Sequence, residues 1–86
     1  MGAYSNQEAL EGTVTTTVTL TLARPSRAIE IINDSGTRDL EYKFGASATF
    51  ATLKPLEVVS MELWIRQIIL NSPRAAAVPY RIRILG

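Results

Sequence analysis

The sequence predicts an all-β domain, namely a small antiparallel β-sandwich or barrel of six to seven short strands with an extended N-terminal arm. Two observations predict this class. Segments in which apolar and polar residues alternate recur at intervals of roughly 8–12 residues, a spacing typical of small sandwiches and barrels. Turn-forming residues separate these segments, as at residues 33–36 and 54–55. We expect one β domain over residues 12–86, preceded by an arm over residues 1–11.

The strongest strand signal lies in residues 12–22, GTVTTTVTLTL. Side chains alternate across a strand, so the apolar residues from Val14 to Leu22 fall on one face and most of the threonines fall on the other. The run holds six threonines and two valines, whose β-branched side chains suit a pleated surface. The apolar positions do not recur at spacings of three and four, which argues against a helix. The pattern predicts one continuous strand.

The threonine face of this strand is uncharged from Thr13 to Thr21. Natural monomers normally protect such flat, β-branched surfaces from pairing with other chains. Two interpretations follow. Either another segment of the same subunit covers this face, or a neighbouring subunit does.

The next two segments with alternating residues are 28–33 and 39–44. Between them lies the turn sequence NDSG at residues 33–36, whose Asn, Asp and Gly tolerate positive φ. We expect the two strands to pair as a hairpin. Asn33 also begins a match to a glycosylation sequon, a motif that is common by chance.

Residues 47–53 form a weaker strand signal, with Phe50 expected to anchor it in the core. Residues 56–70 permit a helix, but their valine, isoleucine and tryptophan content favours two strands, 57–63 and 66–71, joined by a bend at Trp64. We expect Trp64 in the core. Residues 63–70 carry apolar side chains on both faces, as a central strand or a subunit-interface strand does.

The segment YRIRIL at residues 80–85 predicts a final strand. Its tyrosine and isoleucines share the inward face, while Arg81 and Arg83 face outward. Because Tyr80 points away from the arginines, it cannot stack a nucleic-acid base beside them, which argues against nucleic-acid binding. The outward arginines fit either an edge strand protected by charge or a strand paired with another subunit.

The composition argues against enzyme chemistry. The chain has no histidine and no cysteine, so the usual general base, the thiolate nucleophile and the commonest zinc ligands are absent. No serine has a spacing to lysine that suggests an activated nucleophile. We therefore expect no catalytic residue, no metal site and no cofactor. The formal net charge is +1, and no apolar run reaches the roughly 20 residues that span a bilayer.

Charge is divided between the two ends of the chain. Before Arg24 the charged side chains are Glu8 and Glu11, whereas after Glu62 they are all arginines. Both ends can be solvated surface, or the acidic arm of one subunit can contact the basic strand of its neighbour. The candidate subunit-interface residues are Tyr4, Glu8, Leu10, Glu11, Thr15, Thr17, Thr19, Arg81 and Arg83.

Several short motifs carry a resemblance to a known class of proteins. They are an IEIIND element at residues 29–34, DLEYKF at 39–44, KPLE at 54–57, IIL at 68–70 and YRI at 80–82. Over residues 28–86 this series resembles small virion proteins encoded among the structural genes of tailed bacteriophages. The chain departs from that pattern at Arg83, where an aromatic or small residue is expected.

The resemblance implies a non-enzymatic structural protein located in the virion, foremost a capsid decoration or cement subunit. The alternatives are a neck, tail or fibre-attachment component, or a small carbohydrate- or host-binding β-sandwich module. The implied partners are further copies of the chain and other phage structural proteins, with no small-molecule substrate and no membrane.

Overall fold

The computed structural model describes residues 7–45 and 48–85, and for residues 7 and 8 it describes the backbone alone. These residues form β-strands and no helix, which confirms the predicted all-β class. The strands are β1 (Gln7–Val14), β2 (Thr17–Thr21), β3 (Ala28–Asn33), β4 (Leu40–Lys43), β5 (Ala51–Leu53), β6 (Val58–Glu62), β7 (Gln67–Asn71) and β8 (Val78–Leu85). Among the residues so described, no helix is long and apolar enough to cross a membrane.

The strands form two antiparallel sheets that pack face to face. The β8 sheet has the order β1-β8-β3-β6, and the β7 sheet has the order β2-β7-β4-β5. Successive strands cross from one sheet to the other, except that β4 and β5 pair with each other as a hairpin. Eight strands with this order form a jelly roll, the double-sheet arrangement built from two Greek keys.

The threonine-rich segment is two strands, so the prediction of one continuous strand is wrong. Val14 ends β1 in the β8 sheet, and Thr17 begins β2 in the β7 sheet. The chain bends at Thr15 and Thr16, and the backbone N–H of Ser72 donates to the Thr16 carbonyl at 2.8 Å. A segment that supplies one strand to each sheet must bend at the corner between them, and period-two alternation does not reveal such a corner.

Residues 7–11, which the sequence pattern assigned to the arm, belong to β1. They pair with β8 from Gln7 opposite Leu85 to Glu11 opposite Arg81. The predicted boundary at residue 11 therefore falls inside a strand. The remainder of the predicted arm, residues 1–6, lies outside the residues that the structure describes.

The expected hairpin between the third and fourth strands does not exist. β3 lies where the pattern places it but pairs with β6 and β8, whereas β4 pairs with β5 and β7 in the other sheet. The NDSG turn connects a strand of the β8 sheet to a strand of the β7 sheet, and not two neighbouring strands of the same sheet. Local turn chemistry sets the reversal, while the pairing partners come from distant parts of the chain.

Residues 56–70 form β6 and β7 with an irregular link over residues 63–66, as the two-strand interpretation predicted. Two aromatic assignments are wrong. Trp64 lies in the link and is 69% exposed, and Leu53 occupies the core position expected for Phe50. Phe50 precedes β5 and lies half-buried beneath the Lys43 ammonium, which is 4.5 Å from its ring centre.

β8 alternates as predicted, with Tyr80, Ile82 and Ile84 buried and Arg81 and Arg83 exposed. It is an inner strand between β1 and β3, which excludes the edge-strand interpretation of its arginines. The core between the two sheets is formed by the buried residues Val14, Leu22, Ile29, Ile31, Leu40, Leu53, Ile68, Leu70, Val78, Tyr80, Ile82 and Ile84.

Asn33 connects the two layers at the end of β3. Its side chain is fully buried, and Nδ2 donates to the carbonyls of Arg38 (2.8 Å), Leu53 (3.0 Å) and Lys54 (3.1 Å). Its Oδ1 accepts the backbone N–H of Ser35 at 2.9 Å. The amide of the sequon is thus enclosed by backbone groups in the folded protein and is not available to a modifying enzyme.

We expect Asn33→Ala to lower the free energy of unfolding by about 2–4 kcal/mol, because it leaves buried carbonyls without a donor and opens a small cavity. Urea unfolding followed by circular dichroism measures the change. Thr52→Ala, at an exposed position on β5, is the matched control and is expected to stay within about 0.5 kcal/mol of the wild type. An Asn33→Ala loss no larger than that of the control would contradict this role.

Candidate interaction surface

The space between the sheets is filled by aliphatic side chains. Jelly-roll and barrel interiors are either filled in this way or enclose a ligand. Here Ile31, Leu40, Ile68, Leu70 and Ile82 are all 0% exposed and meet in the centre. Within residues 7–45 and 48–85, no buried side-chain polar atom lacks a hydrogen-bond partner. The surfaces described next lie on the outside of the two sheets.

The described residues also contain no group of three histidine, cysteine, aspartate or glutamate side chains that could hold a metal ion. The sequence supplies no histidine or cysteine to complete one. That the chain has no catalytic residue and no cofactor stays a prediction.

Among the described strands, β6 lies at the edge of its sheet and pairs with β3 on one side only. Hydrogen bonds of 3.0 Å run from the Leu63 N–H to the Arg27 carbonyl and from the Asn33 N–H to the Glu57 carbonyl. Odd-numbered residues along β6 therefore direct their backbone groups towards β3. In an antiparallel ladder the alternate residues point the other way. The residues whose N–H and C=O groups face the free edge are Val58, Ser60 and Glu62.

The exposed large hydrophobic side chains of the described residues all lie on β6 or beside it. They are Leu56 (67% exposed), Val58 (49%) and Trp64 (69%). Single exposed apolar residues are ordinary, but three along one unpaired strand are not. Natural edge strands are usually blunted by lysine, proline or a bulge, and β6 has none of these between Val58 and Glu62.

Leu56 is held outward by the turn that precedes β6. Its φ is 62°, in the left-handed region that a leucine rarely adopts. The Leu56 N–H donates to the Ser35 carbonyl, and the Glu57 N–H donates to the Lys54 carbonyl, both at 3.0 Å. The Glu57 carboxylate accepts the Lys54 N–H at 2.9 Å. Surrounding contacts that maintain an unfavourable backbone conformation often mark a functional position.

The charged residues of the predicted interface face each other within one subunit. Glu11 lies directly opposite Arg81 in the β1–β8 pair. The Arg81 guanidinium also binds the Asp34 carboxylate through two hydrogen bonds of 2.8 and 2.9 Å. Arg83 forms an ion pair with Glu30 at 3.4 Å. Glu11 and Arg81, from the two ends of the sequence, are thus neighbours on the outer face of the β8 sheet.

The other predicted interface residues do not form one surface with these. Leu10 is half-buried and packs against the core, and Thr15 is exposed at the corner between β1 and β2. Glu8 lies opposite Ile84 in the β1–β8 pair, but its side chain is outside the described part of the chain, as is all of Tyr4. That these residues contact a neighbour stays a prediction.

Thr17 and Thr19 lie on the outer face of the β7 sheet. Both are exposed, so no other described segment of the subunit covers this face. The Thr17 hydroxyl donates to Asn71 Oδ1 at 2.7 Å, and Asn71 Nδ2 donates to the Glu41 carboxylate at 2.7 Å. This hydrogen-bonded row crosses three strands and uses up polar groups that a partner would otherwise bind.

Sequence reasoning missed the free edge of β6, because the positions of strands along the sequence do not tell which strands lie at the margin of a sheet. The apolar residues on both faces of residues 63–70 belong to the link and to β7, which lies between β2 and β4 and fits the central-strand interpretation. Trp64 is exposed although Ile65 beside it packs against the core, so the Trp64 side chain points away from the core.

The ion pair between Asp34 and Arg81 shifts the pKa values of both side chains. The hydrogen bonds from the Arg81 guanidinium lower the pKa of Asp34 against an opposing effect of burial. The same pair, with smaller contributions from Glu11 and Glu30, raises the pKa of Arg81. Burial raises the pKa of the Tyr80 phenol on the opposite face of β8.

Comparison with known proteins shows the fold. No family model matches the chain, and no curated protein matches it by sequence. Among solved structures, a cupin domain from Bordetella pertussis superimposes with a TM-score of 0.64 at 10% identity, covering 93% of this chain and 81% of that one. The Cupin_2 domain of an XRE family transcriptional regulator from Enterobacter cloacae gives 0.60 at 18% identity, covering 91% and 77%. A de novo designed double-stranded β-helix gives 0.60 at 18% identity, covering 93% and 99%.

These similarities overturn the resemblance to phage virion proteins. The structural neighbours are cupin-type domains, whose double-stranded β-helix is a jelly roll, and not phage structural proteins. The capsid decoration or cement function, its alternatives and the virion location inferred from that resemblance are therefore wrong. The matched motifs are short strands and turns that any jelly roll of this size needs, so they do not distinguish one jelly-roll family from another.

We expect Asp34→Asn to destabilise the protein at neutral pH and to do so less as the pH falls. A carboxylate whose folded pKa is lowered stabilises the fold above its unfolded pKa, about 3.9, and loses that contribution as the pH falls through the folded value. Urea unfolding of the wild type and the variant at pH 7 and near pH 2.5 tests this. Asp39→Asn, an exposed carboxylate outside the ion pairs, controls for net charge. A difference that is independent of pH would refute the ion-pair origin.

Proposed function

We propose that this protein is a non-enzymatic interaction module that pairs with a second copy of itself through the free edge of β6. The observation that carries the proposal is the placement of Leu56, Val58 and Trp64 on or beside that edge, next to backbone groups that no described strand pairs with. An unpaired strand is a template for another strand, and exposed apolar side chains next to it add buried area when pairing occurs.

Twofold symmetry restricts how two β6 strands can meet. Homodimers most often have a twofold axis, which makes their contacts reciprocal. If residue i of one copy lies opposite residue j of the other, then residue j of the first copy lies opposite residue i of the second. An antiparallel arrangement centred on Ser60 pairs all five residues of β6. It joins the outward backbone groups of Val58 to those of Glu62 on the second copy, and those of Ser60 to each other. Continued by symmetry, the same arrangement places Leu56 opposite Trp64.

Charge is compatible with this register and disfavours a neighbouring one. Glu57 and Glu62 are the charged residues between positions 56 and 64. With Ser60 at the centre, Glu62 faces Val58 and Glu57 faces Leu63, so no carboxylate opposes another. An arrangement centred on Glu62 sets two carboxylates directly opposite each other, which is destabilising in antiparallel pairs.

The inner face of β6 gains from the same pairing. Val59 and Met61 are half-buried and pack at the margin of the core. In the Ser60-centred register Val59 of one copy faces Met61 of the other. The two cores then join through these side chains, and the β8 sheets of the two copies form one eight-stranded sheet.

The non-enzymatic part of the proposal rests on the reactive side chains that the sequence lacks and on the charged side chains that are already engaged in ion pairs. Histidine and cysteine are absent from the sequence. The interior is filled with aliphatic side chains, and the arginines of the β8 sheet are engaged by carboxylates. These features favour a role in association over one in catalysis.

Light scattering over a concentration series tests the proposal. We expect the wild type to reach the mass of two 9.4 kDa chains and Trp64, the single tryptophan, to shift its emission to shorter wavelength over the same range. Val58→Glu is expected to raise the dissociation constant at least about tenfold, because it places a carboxylate directly opposite Glu62 of the second copy. Thr19→Glu, on the exposed face of β2, is the control with the same charge and is expected to leave the constant unchanged.

Ser60→Pro separates pairing from folding. The Ser60 N–H points away from β3, so a proline there removes a hydrogen bond from the proposed interface and none from the β3–β6 ladder. We expect a folded monomer, judged by circular dichroism and light scattering. A wild type that stays monomeric at its highest soluble concentration, or a dimer that is insensitive to both edge variants, would refute pairing through β6.

A further inference from the structure

A second surface feature lies at the end of the sandwich where β3 and β7 finish. It is a depression of ≈ 380 Å³ between the β3–β4 loop and the β7–β8 loop. This volume lies within the range of small-molecule sites, roughly 300–1,000 Å³. The residues that line it are Thr37, Arg38, Asp39, Ser72, Pro73 and Arg74.

Both loops are held in shape by a buried serine. The Ser35 hydroxyl oxygen accepts the backbone N–H groups of Thr37 (3.2 Å) and Arg38 (2.9 Å). The Ser72 hydroxyl donates to the Ala76 carbonyl at 2.6 Å and accepts the Ala76 N–H at 3.1 Å. Ser35 and Ser72 are 7% and 5% exposed. The walls of the depression are thus ordered before any ligand arrives, which lowers the entropic cost of binding.

The positive charge of the depression exceeds its negative charge. Arg38 Nη1 donates to the Ala77 carbonyl at 2.8 Å, which anchors the guanidinium, and its other N–H groups donate to no described residue. In the described part of the chain, no hydrogen bond or ion pair engages the Arg74 guanidinium. Asp39 is the one carboxylate of the lining against these two arginines. A bound anion would balance the remaining charge.

We propose that this depression binds the phosphate group of a small molecule. Two arginines from separate loops line one space, and Thr37, whose hydroxyl is a further donor, lines it with them. A phosphate presents three or more oxygens in different directions and can accept from several donors at once. A planar carboxylate is satisfied by one bidentate guanidinium and makes poorer use of donors from two walls. The site uses none of the β6 edge residues and stands independently of the proposed self-association.

Titration of the ¹⁵N-labelled protein with inorganic phosphate, followed by NMR at constant ionic strength, tests the site. We expect saturable amide shifts concentrated at residues 37–39, 72 and 74, and a weaker response to acetate. Arg74→Gln is expected to weaken phosphate binding at least about tenfold. Arg74 is exposed and forms no hydrogen bond or ion pair with a described residue, so the variant is expected to fold normally.

Arg24→Gln is the matched control, with the same change of charge. Arg24 is exposed in the β2–β3 loop, and the Leu22 N–H bond to the Arg66 carbonyl places that loop at the start of β7, whereas Ser72 follows its end. We expect this variant to bind phosphate as the wild type does. Non-saturable shifts, an equal response to acetate, or equal losses in the Arg74 and Arg24 variants would overturn the proposal.

Discussion

The arrangement of the two layers depends on the buried amide of Asn33. Hydrophobic burial between two sheets is strong but non-directional, so it does not by itself fix where one sheet ends relative to the other. Asn33 ends β3 in the β8 sheet and donates to the carbonyl of Leu53, which ends β5 in the β7 sheet. The same side chain binds both neighbouring turns through Ser35 and Lys54. One side chain thereby sets the turn that presents Leu56 and the loop that carries Arg38.

The alternation of apolar and polar residues was enough to locate most strands, because a period of two can be recognised within a short segment of sequence. β3 begins and ends where the pattern places it, and β7 differs by one residue at its start. Sheet membership was not predictable in this way, since β1 finds its partner in β8 at the other end of the chain. The bend at Thr15 was not predicted for a related reason, because threonine occurs both in strands and at exposed bends.

For the candidate surfaces as well, features of neighbouring residues could be predicted from the sequence, whereas contacts between distant parts of the chain could not. The opposite charges at the chain ends were correctly seen as complementary, but an antiparallel β1–β8 pair makes Glu11 and Arg81 neighbours without a second subunit. Trp64 and Phe50 were both assigned to the core. Both lie outside the strands, and Trp64 is exposed whereas Phe50 is half-buried. The phage resemblance failed because strand and turn motifs report a fold, and one fold serves many functions.

The central place of β8 has a consequence for synthesis. Chains are made from the N-terminus, so β1 and β3 leave the ribosome before the strand that joins them. Until residues 78–85 have been made, the β8 sheet lacks its middle strand, so β1 has no partner and β3 is paired only with β6. Transiently exposed apolar surface and unpaired strand edges make incomplete chains prone to aggregation. Synthesis of β8 is therefore the step that removes both open edges at once.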